Sequence, residues 1–212
     1  MTKLLEDMKN EATASGLYVL GKEFLPILSK TTANAFCGDP IFSHMSKSAN
    51  DNQVWDLAFV TFKTIFKDSL ILSTDVHGTD YIVVCDGSFR GIDTMPFLMN
   101  GGLKTVANYG LGGALRMIKY EGYAMGLRKK YTGFNDLYIY QLAVREGSRK
   151  QGRGTRLLRF VTDYGKKHGL PVYLETHKIT NVWFYEKRGF RLLHKEEVPG
   201  SDNVIHNAMV CD

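Results

Sequence analysis

Cysteine is scarce in this 212-residue chain, which holds only Cys37, Cys85 and Cys211. An odd count with no short metal-ligand spacing argues against a disulfide framework or a zinc ribbon, so free thiols and no metal are expected. Long apolar runs are missing too. No stretch reaches the roughly 18 to 20 apolar residues of a membrane span, and the charged segment Met1 to Asn10 has no apolar run of signal-peptide length. The expectation is a cytoplasmic chain with no membrane partner. A basic arm is also lacking: the net charge is +5, but the 27 Lys and Arg residues are spread along the sequence, which argues against nucleic acid. There is no internal repeat or low-complexity segment, and the glycines act as punctuation, not as linkers.

What is present suits an ordinary globular protein, with 44% hydrophobic and 23% charged residues. The length suggests one domain with an elaborated half. Residues 2–12 read as a short charged helix, Leu17 to Leu20 as a strand, and Lys22 to Phe36 as a helix with Pro26 near its start. Cys37 to Pro40 reads as a turn, and Asp51 to Phe66 as a helix with Val54, Leu57, Ala58, Phe62 and Ile65 on one face. Ser69 to Thr74 and Asp80 to Asp86 form a hairpin pattern around His77-Gly78-Thr79. From Gly87 to Gly133 the chain is rich in Gly, Met, Leu and Tyr, with helical spacing over Leu103 to Arg128, and predicts two helices forming an acceptor-binding insert.

The C-terminal third is sharper. Leu137 to Val144 predicts a strand, Gly152 to His168 a helix, Pro171 to Thr176 a strand and Thr180 to Arg188 a helix. Phe190 to Val198 and Val204 to Val210 predict two closing strands around Pro199-Gly200. The strand, helix, strand order implies a parallel crossover among otherwise antiparallel strands, hence a mixed α and β class with a mixed sheet.

Between the strand ending near Val144 and the helix carrying Leu157, Leu158 and Val161 stands Arg149-Lys150-Gln151-Gly152-Arg153-Gly154. Glycines let backbone approach a ligand, and unpaired amides opening a helix suit a pyrophosphate. The same residues could form only a tight strand-to-helix turn. A P-loop would need Gly-Lys followed by Ser or Thr, and a dinucleotide fingerprint a third Gly where Leu157 stands. Neither pattern fits.

Leu142-Ala143-Val144, followed by Arg149-x-x-Gly152-x-Gly154 and a Leu-Leu pair, resembles motif A of the GNAT acetyltransferases. Downstream, Asn181-x-x-x-Tyr185-x-x-x-Gly189-Phe190 resembles motif B of the same family, in the right order and register. The resemblance covers about Asp136 to Val210. Leu174-Glu175-Thr176, Glu197-Val198-Pro199 and Ala35-Phe36 ahead of Asp39-Pro40 resemble the puromycin N-acetyltransferase-like branch. One departure is Lys150, where the superfamily often has Gly.

The resemblance implies the GNAT fold, a central and mostly antiparallel mixed sheet flanked by helices. Residues 1–135 would be an acceptor-side half and 136–212 an acetyl-CoA-binding half. It implies an acetyl-CoA-dependent N-acetyltransferase acting on a small-molecule primary amine, as a monomer or homodimer. A protein or peptide acceptor, or a non-catalytic acyl-CoA-binding module, are the alternatives. Leu142, Ala143 and Val144 would border the pantetheine arm, with the Leu142 and Val144 backbone hydrogen-bonding it. Arg149, Lys150, Gln151, Gly152, Arg153, Gly154 and Thr155 form the loop around the pyrophosphate, which the amides from Gln151 to Thr155 would cradle. Asn181 would hydrogen-bond the pantetheine side, and Tyr185 would reach the sulfur.

The chemistry asks for a neutral amine, a donor for the oxyanion and an acid for the leaving thiolate. Tyr185 is the implied acid, the Val144 amide at a strand disruption the implied oxyanion donor, and Glu175 the first candidate base. Each has another reading: Asn181 as a helix cap, Tyr185 as packing, Glu175 as a buried carboxylate ordering a loop. His177 is a further base candidate, or a surface or packing residue. Tyr138, Tyr140 and Asp136 are expected in the neighbourhood of Glu175, and strict alternation would put Tyr138 and Tyr140 on the face of Leu142 and Val144, lining the acceptor cleft instead of packing.

Overall fold

A computed structural model describes residues 1–36, 38–46 and 50–212. Seven strands form one sheet in the order β1-β2-β3-β4-β5-β7-β6, where β1 is Tyr18–Val19, β2 Ser69–Ser73, β3 Asp80–Cys85, β4 Leu137–Val144, β5 Val172–Thr176, β6 Arg191–Glu197 and β7 Ile205–Cys211. Among the described residues, β4 and β5 run parallel and every other pair is antiparallel. The mixed, mostly antiparallel sheet flanked by helices is thus the observed class.

The helices are α1 Lys3–Ala14, α2 Leu25–Phe36, α3 Pro40–Met45, α4 Asp51–Ile65, α5 Thr94–Phe97, α6 Leu103–Thr132, α7 Arg153–His168 and α8 Ile179–Glu186. On α7, Leu157, Leu158, Val161 and Tyr164 recur at helical spacing and are all buried, so one apolar face packs with α1 against Leu72, Ile82, Leu137, Ile139 and Leu174. The opposite sheet face carries Ile71, Tyr81, Val83, Tyr138 and Tyr173, covered by Leu28, Phe62 and Ala124 from α2, α4 and α6. A capping box between Asn50 and Gln53 starts α4.

Three sequence expectations change. Cys37 lies outside the described residues, and the turn expected at Asp39-Pro40 instead opens α3: the Asp39 side chain accepts from the Ile41 amide at 3.2 Å, with Pro40 at the first helical position. The insert is a short α5, a wide turn over Leu98–Gly102, and a long α6 broken at Gly110 (φ 71°, ψ 164°).

The third change is in β4. Val83 faces Gln141 but Val84 faces Ile139, so Tyr140 is an extra residue opposite β3. Such a bulge reverses the side-chain alternation beyond it. Tyr138, Tyr140 and Ala143 therefore pack toward α4 and α6, whereas Ile139 and Leu142 pack toward α7. The expected sharing of one face by Tyr138, Tyr140, Leu142 and Val144 fails because of this one residue.

Candidate active site

The parallel pairing of β4 with β5 lasts for only three register positions, Leu137 with Val172 to Ile139 with Leu174. Beyond them the strands part. Residues Tyr140 to Val144 keep β3 on one side and have no strand partner on the other among the described residues. Arg145 N–H donates to the Thr79 carbonyl at 2.9 Å. By antiparallel alternation the ladder bonds then fall at Ala143 and Gln141, and the N–H and C=O of Leu142 and Val144 point to the open side. The Val144 carbonyl does so visibly, accepting from Arg149 Nε at 3.2 Å. The disruption lies at Tyr140, not at Val144; the outward Val144 amide results from the parting of β4 and β5.

The loop after β4 delivers α7 beside this edge. Gly152 has φ 76° and caps α7 with no side-chain bond, and the first backbone bond of the helix runs from Arg156 N to Gly152 O. The amides of Arg153, Gly154 and Thr155 therefore have no backbone acceptor among the described residues, leaving free donors at the positive end of a 16-residue helix. A Cβ on Gly154 would stand 3.2 Å from Val144 Cγ2, so helix and strand approach closely there. Lys150 takes φ 62°, a left-handed conformation that glycine adopts without cost.

The loop's side chains are largely committed elsewhere. Gln151 donates to Gly147 O at 3.3 Å and accepts from Arg153 Nε at 3.2 Å. Arg153 also reaches Asp75, Thr79 and Asp80 around the β2–β3 turn. Thr155 Oγ1 accepts from Arg188 Nε and Nη2 at 3.0 and 2.8 Å, which ties α7 to the end of α8. What the loop offers a ligand is backbone.

The open edge gives onto a cavity of about 520 Å³, lined by Tyr138, Gln141 and Leu142 on β4, Glu175 on β5, Asn181 and Tyr185 on α8, and the insert above them. Glu175 Oε2 accepts from the Tyr138 hydroxyl at 2.8 Å; Oε1 is out of solvent and has no hydrogen-bond partner among the described residues. Burial pushes the Glu175 carboxyl up to about 7, against the Tyr138 hydrogen bond that favours its ionised form and with the nearby Glu121 charge adding to the rise. Tyr185 is buried, and burial keeps its phenol protonated well past its ordinary range. Asn181 is not the helix cap, since Lys178 holds that position; its Nδ2 donates to Thr176 Oγ1 at 3.0 Å.

His177 lies at the cavity wall with Nε2 2.9 Å from the Tyr120 hydroxyl, and burial lowers it to about 4, so it is neutral near pH 7. Asp136 does not join Glu175. It accepts from Arg128 Nε and Nη2 at 3.0 and 2.6 Å, and both side chains are fully buried. Glu121 on α6, which sequence spacing does not single out, also lines the cavity. Its Oε1 accepts from Ile92 N at 3.1 Å, a partner 29 residues away that no local pattern announces.

No helix of the described residues is long and apolar enough to cross a membrane. Residues 113–190 match the model of the acetyltransferase (GNAT) family. No curated protein matches the chain by sequence. Among solved structures, the Corynebacterium glutamicum histone acetyltransferase HPA2 and related acetyltransferase aligns with TM-score 0.63 and 17% identity, over 92% of this chain and 93% of that one. The Drosophila melanogaster polyamine N-acetyltransferase aligns with TM-score 0.59 and 13% identity, over 92% and 97%. An N-acetyltransferase from Staphylococcus aureus gives 0.58 and 15%, over 92% and 98%. The chain thus has the fold of the GNAT acetyltransferases, and its residues 113–190 match that family's model.

Proposed function

We propose that this protein is an acetyl-CoA-dependent N-acetyltransferase that transfers acetyl directly to the primary amine of a small molecule. One observation carries the proposal: a strand edge without a strand partner among the described residues borders, at its Tyr138 to Leu142 end, a cavity lined by Glu175 and Tyr185, and leads from its Val144 end into the loop of a free helix N-terminus. The residues fit the cosubstrate. Leu142 and Val144 would pair with the amide-rich pantetheine arm as an added strand, the amides from Gln151 to Thr155 would receive the diphosphate, and Asn181 would border the arm. Acetyl-CoA would supply the activated acyl group.

In this reading Glu175 takes the proton of the attacking amine through its unpartnered Oε1, suited to the task near neutral pH by its raised pKa. The Val144 N–H donates to the oxygen on which negative charge develops. Tyr185, held protonated by burial, gives its proton to the departing sulfur. Residues 1–135 supply the acceptor side and 136–212 the cofactor side. The cover of α3 and α6 over the cavity favours a small molecule over a peptide, which needs an open groove. Leu174-Glu175-Thr176 supports a place near the puromycin N-acetyltransferase-like branch.

The test is thiol release from acetyl-CoA across a panel of amines. Release is expected with at least one primary amine. Tyr185→Phe should lower turnover by about 100-fold or more while changing acetyl-CoA affinity about twofold at most. Tight cofactor binding with no release from any amine would mean a binding module instead of an enzyme.

A further inference from the structure

Two carboxylates face the cavity without a cation in salt-bridge range among the described residues, Glu175 on β5 and Glu121 on α6. The other charged groups of the lining are occupied. Asp39 caps α3 and lies 3.6 Å from Lys178 Nζ, and Arg90 lies over the Phe134 ring at 4.1 Å and donates to the Gly87 carbonyl.

Glu121 is held in place by design of the backbone around it. Gly91 (φ 109°) brings the loop so close that a Cβ there would be 3.2 Å from Glu121 Oε1, and the next amide, Ile92 N–H, donates to that same oxygen. One oxygen is thereby fixed, and the other has no partner among the described residues. Tyr120, Tyr138 and Tyr140 complete the wall with their rings. Both carboxylates act on the hydroxyls of all three, which are kept protonated first by burial and then by these charges. The three rings line the same cavity as the two acids, and aromatic faces with carboxylates suit a cation.

The two acids cannot serve one group equally well. An amine must lose its proton to attack, and a second carboxylate held permanently against it would keep it protonated. Glu121 is better matched to a part of the acceptor that stays charged throughout the reaction. We propose that Glu121, fixed by the Ile92 amide, binds a second cationic group of the acceptor, so that this cavity selects amines bearing a distal ammonium or guanidinium over simple alkylamines.

This rests on the reading of the cavity as the acceptor site. It is tested by calorimetric titration of linear α,ω-diamines and of n-alkylamines of matching length into the full chain, with and without coenzyme A, for wild type and Glu121→Gln. The glutamine keeps the shape and an oxygen for Ile92 N–H. Wild type should bind the best diamine about tenfold or more tighter than its matching monoamine, and the variant should keep about threefold or less of that preference. Unchanged coenzyme A affinity and an unchanged melting profile verify that the variant is folded. Equal binding of both amines by wild type, or a preference that survives in Glu121→Gln, overturns the proposal. Absence of a coenzyme A signal would instead sink the transferase reading, and the amine selectivity would still be read from the titrations without it.

Discussion

Glu175 would titrate like a surface carboxylate were it not enclosed beside Tyr138 and the insert. Enclosure raises its proton affinity; the Tyr138 hydroxyl, donating to Oε2, opposes the rise by stabilising the ionised form. The sign for a base follows directly: activity should climb as pH passes upward through about 7. Tyr138→Phe removes the stabilising donor, which lifts the Glu175 pKa further and moves the climb to higher pH. The ratio of kcat/KM at pH 6.5 to that at pH 8.5 should fall about two- to tenfold relative to wild type, since a hydrogen bond of this kind is worth roughly 0.5–1.5 kcal/mol. A pH–rate profile measures it, and an unmoved limb would remove Glu175 from the base role.

At the level of elements, the turn from β4 into α7 depends on Gly152. Its φ of 76° is costly for any side chain and worst for a β-branched one. Gly152→Val should abolish acetyl-CoA binding in calorimetry, a loss of at least about 30-fold being the minimum expected, with circular dichroism near that of wild type. Full-strength binding would mean that the loop is not where the diphosphate sits.

This turn was legible in the sequence because glycines, a following apolar helix stripe and a preceding strand all lie within one short segment. The core helices and β4 to β7 were legible for the same reason: their signals are local and periodic. The face of Tyr138 and Tyr140 was not, because the bulge arises from how β3 pairs with β4, some 60 residues apart. Helix α3 was hidden because Asp39-Pro40 signals both a turn and a helix start, and only the Asp39 to Ile41 bond decides. Glu121 escaped notice since its meaning comes from Ile92 and from a cavity assembled by six helices and two strands.

Across the whole molecule, the insert and the sheet are joined by the buried pair of Arg128 and Asp136. Besides its bonds to Asp136, Arg128 donates to the Phe89 and Asp86 carbonyls at 2.9 and 3.0 Å, so α6, the segment after β3 and the start of β4 meet on one guanidinium. Replacing it leaves a carboxylate and two carbonyls buried without their donor. Arg128→Met should lower unfolding free energy by about 3–5 kcal/mol, the usual cost of removing one partner from a buried pair. Urea denaturation measures this, and a loss below about 1 kcal/mol would show that the junction contributes little.

The additional residue at Tyr140 sets two successive side chains of β4, Tyr140 and Gln141, against the single residue Val83 of β3. Because the pairs on both sides of the bulge keep their faces relative to β3, removing Tyr140 alone would leave a regular ladder, with Tyr138 still toward α4 and α6 and the amides of Leu142 and Val144 still outward. The extra residue is therefore a ring added to the cavity wall, like a leaf let into a table, which the pairing of the strand on either side does not need.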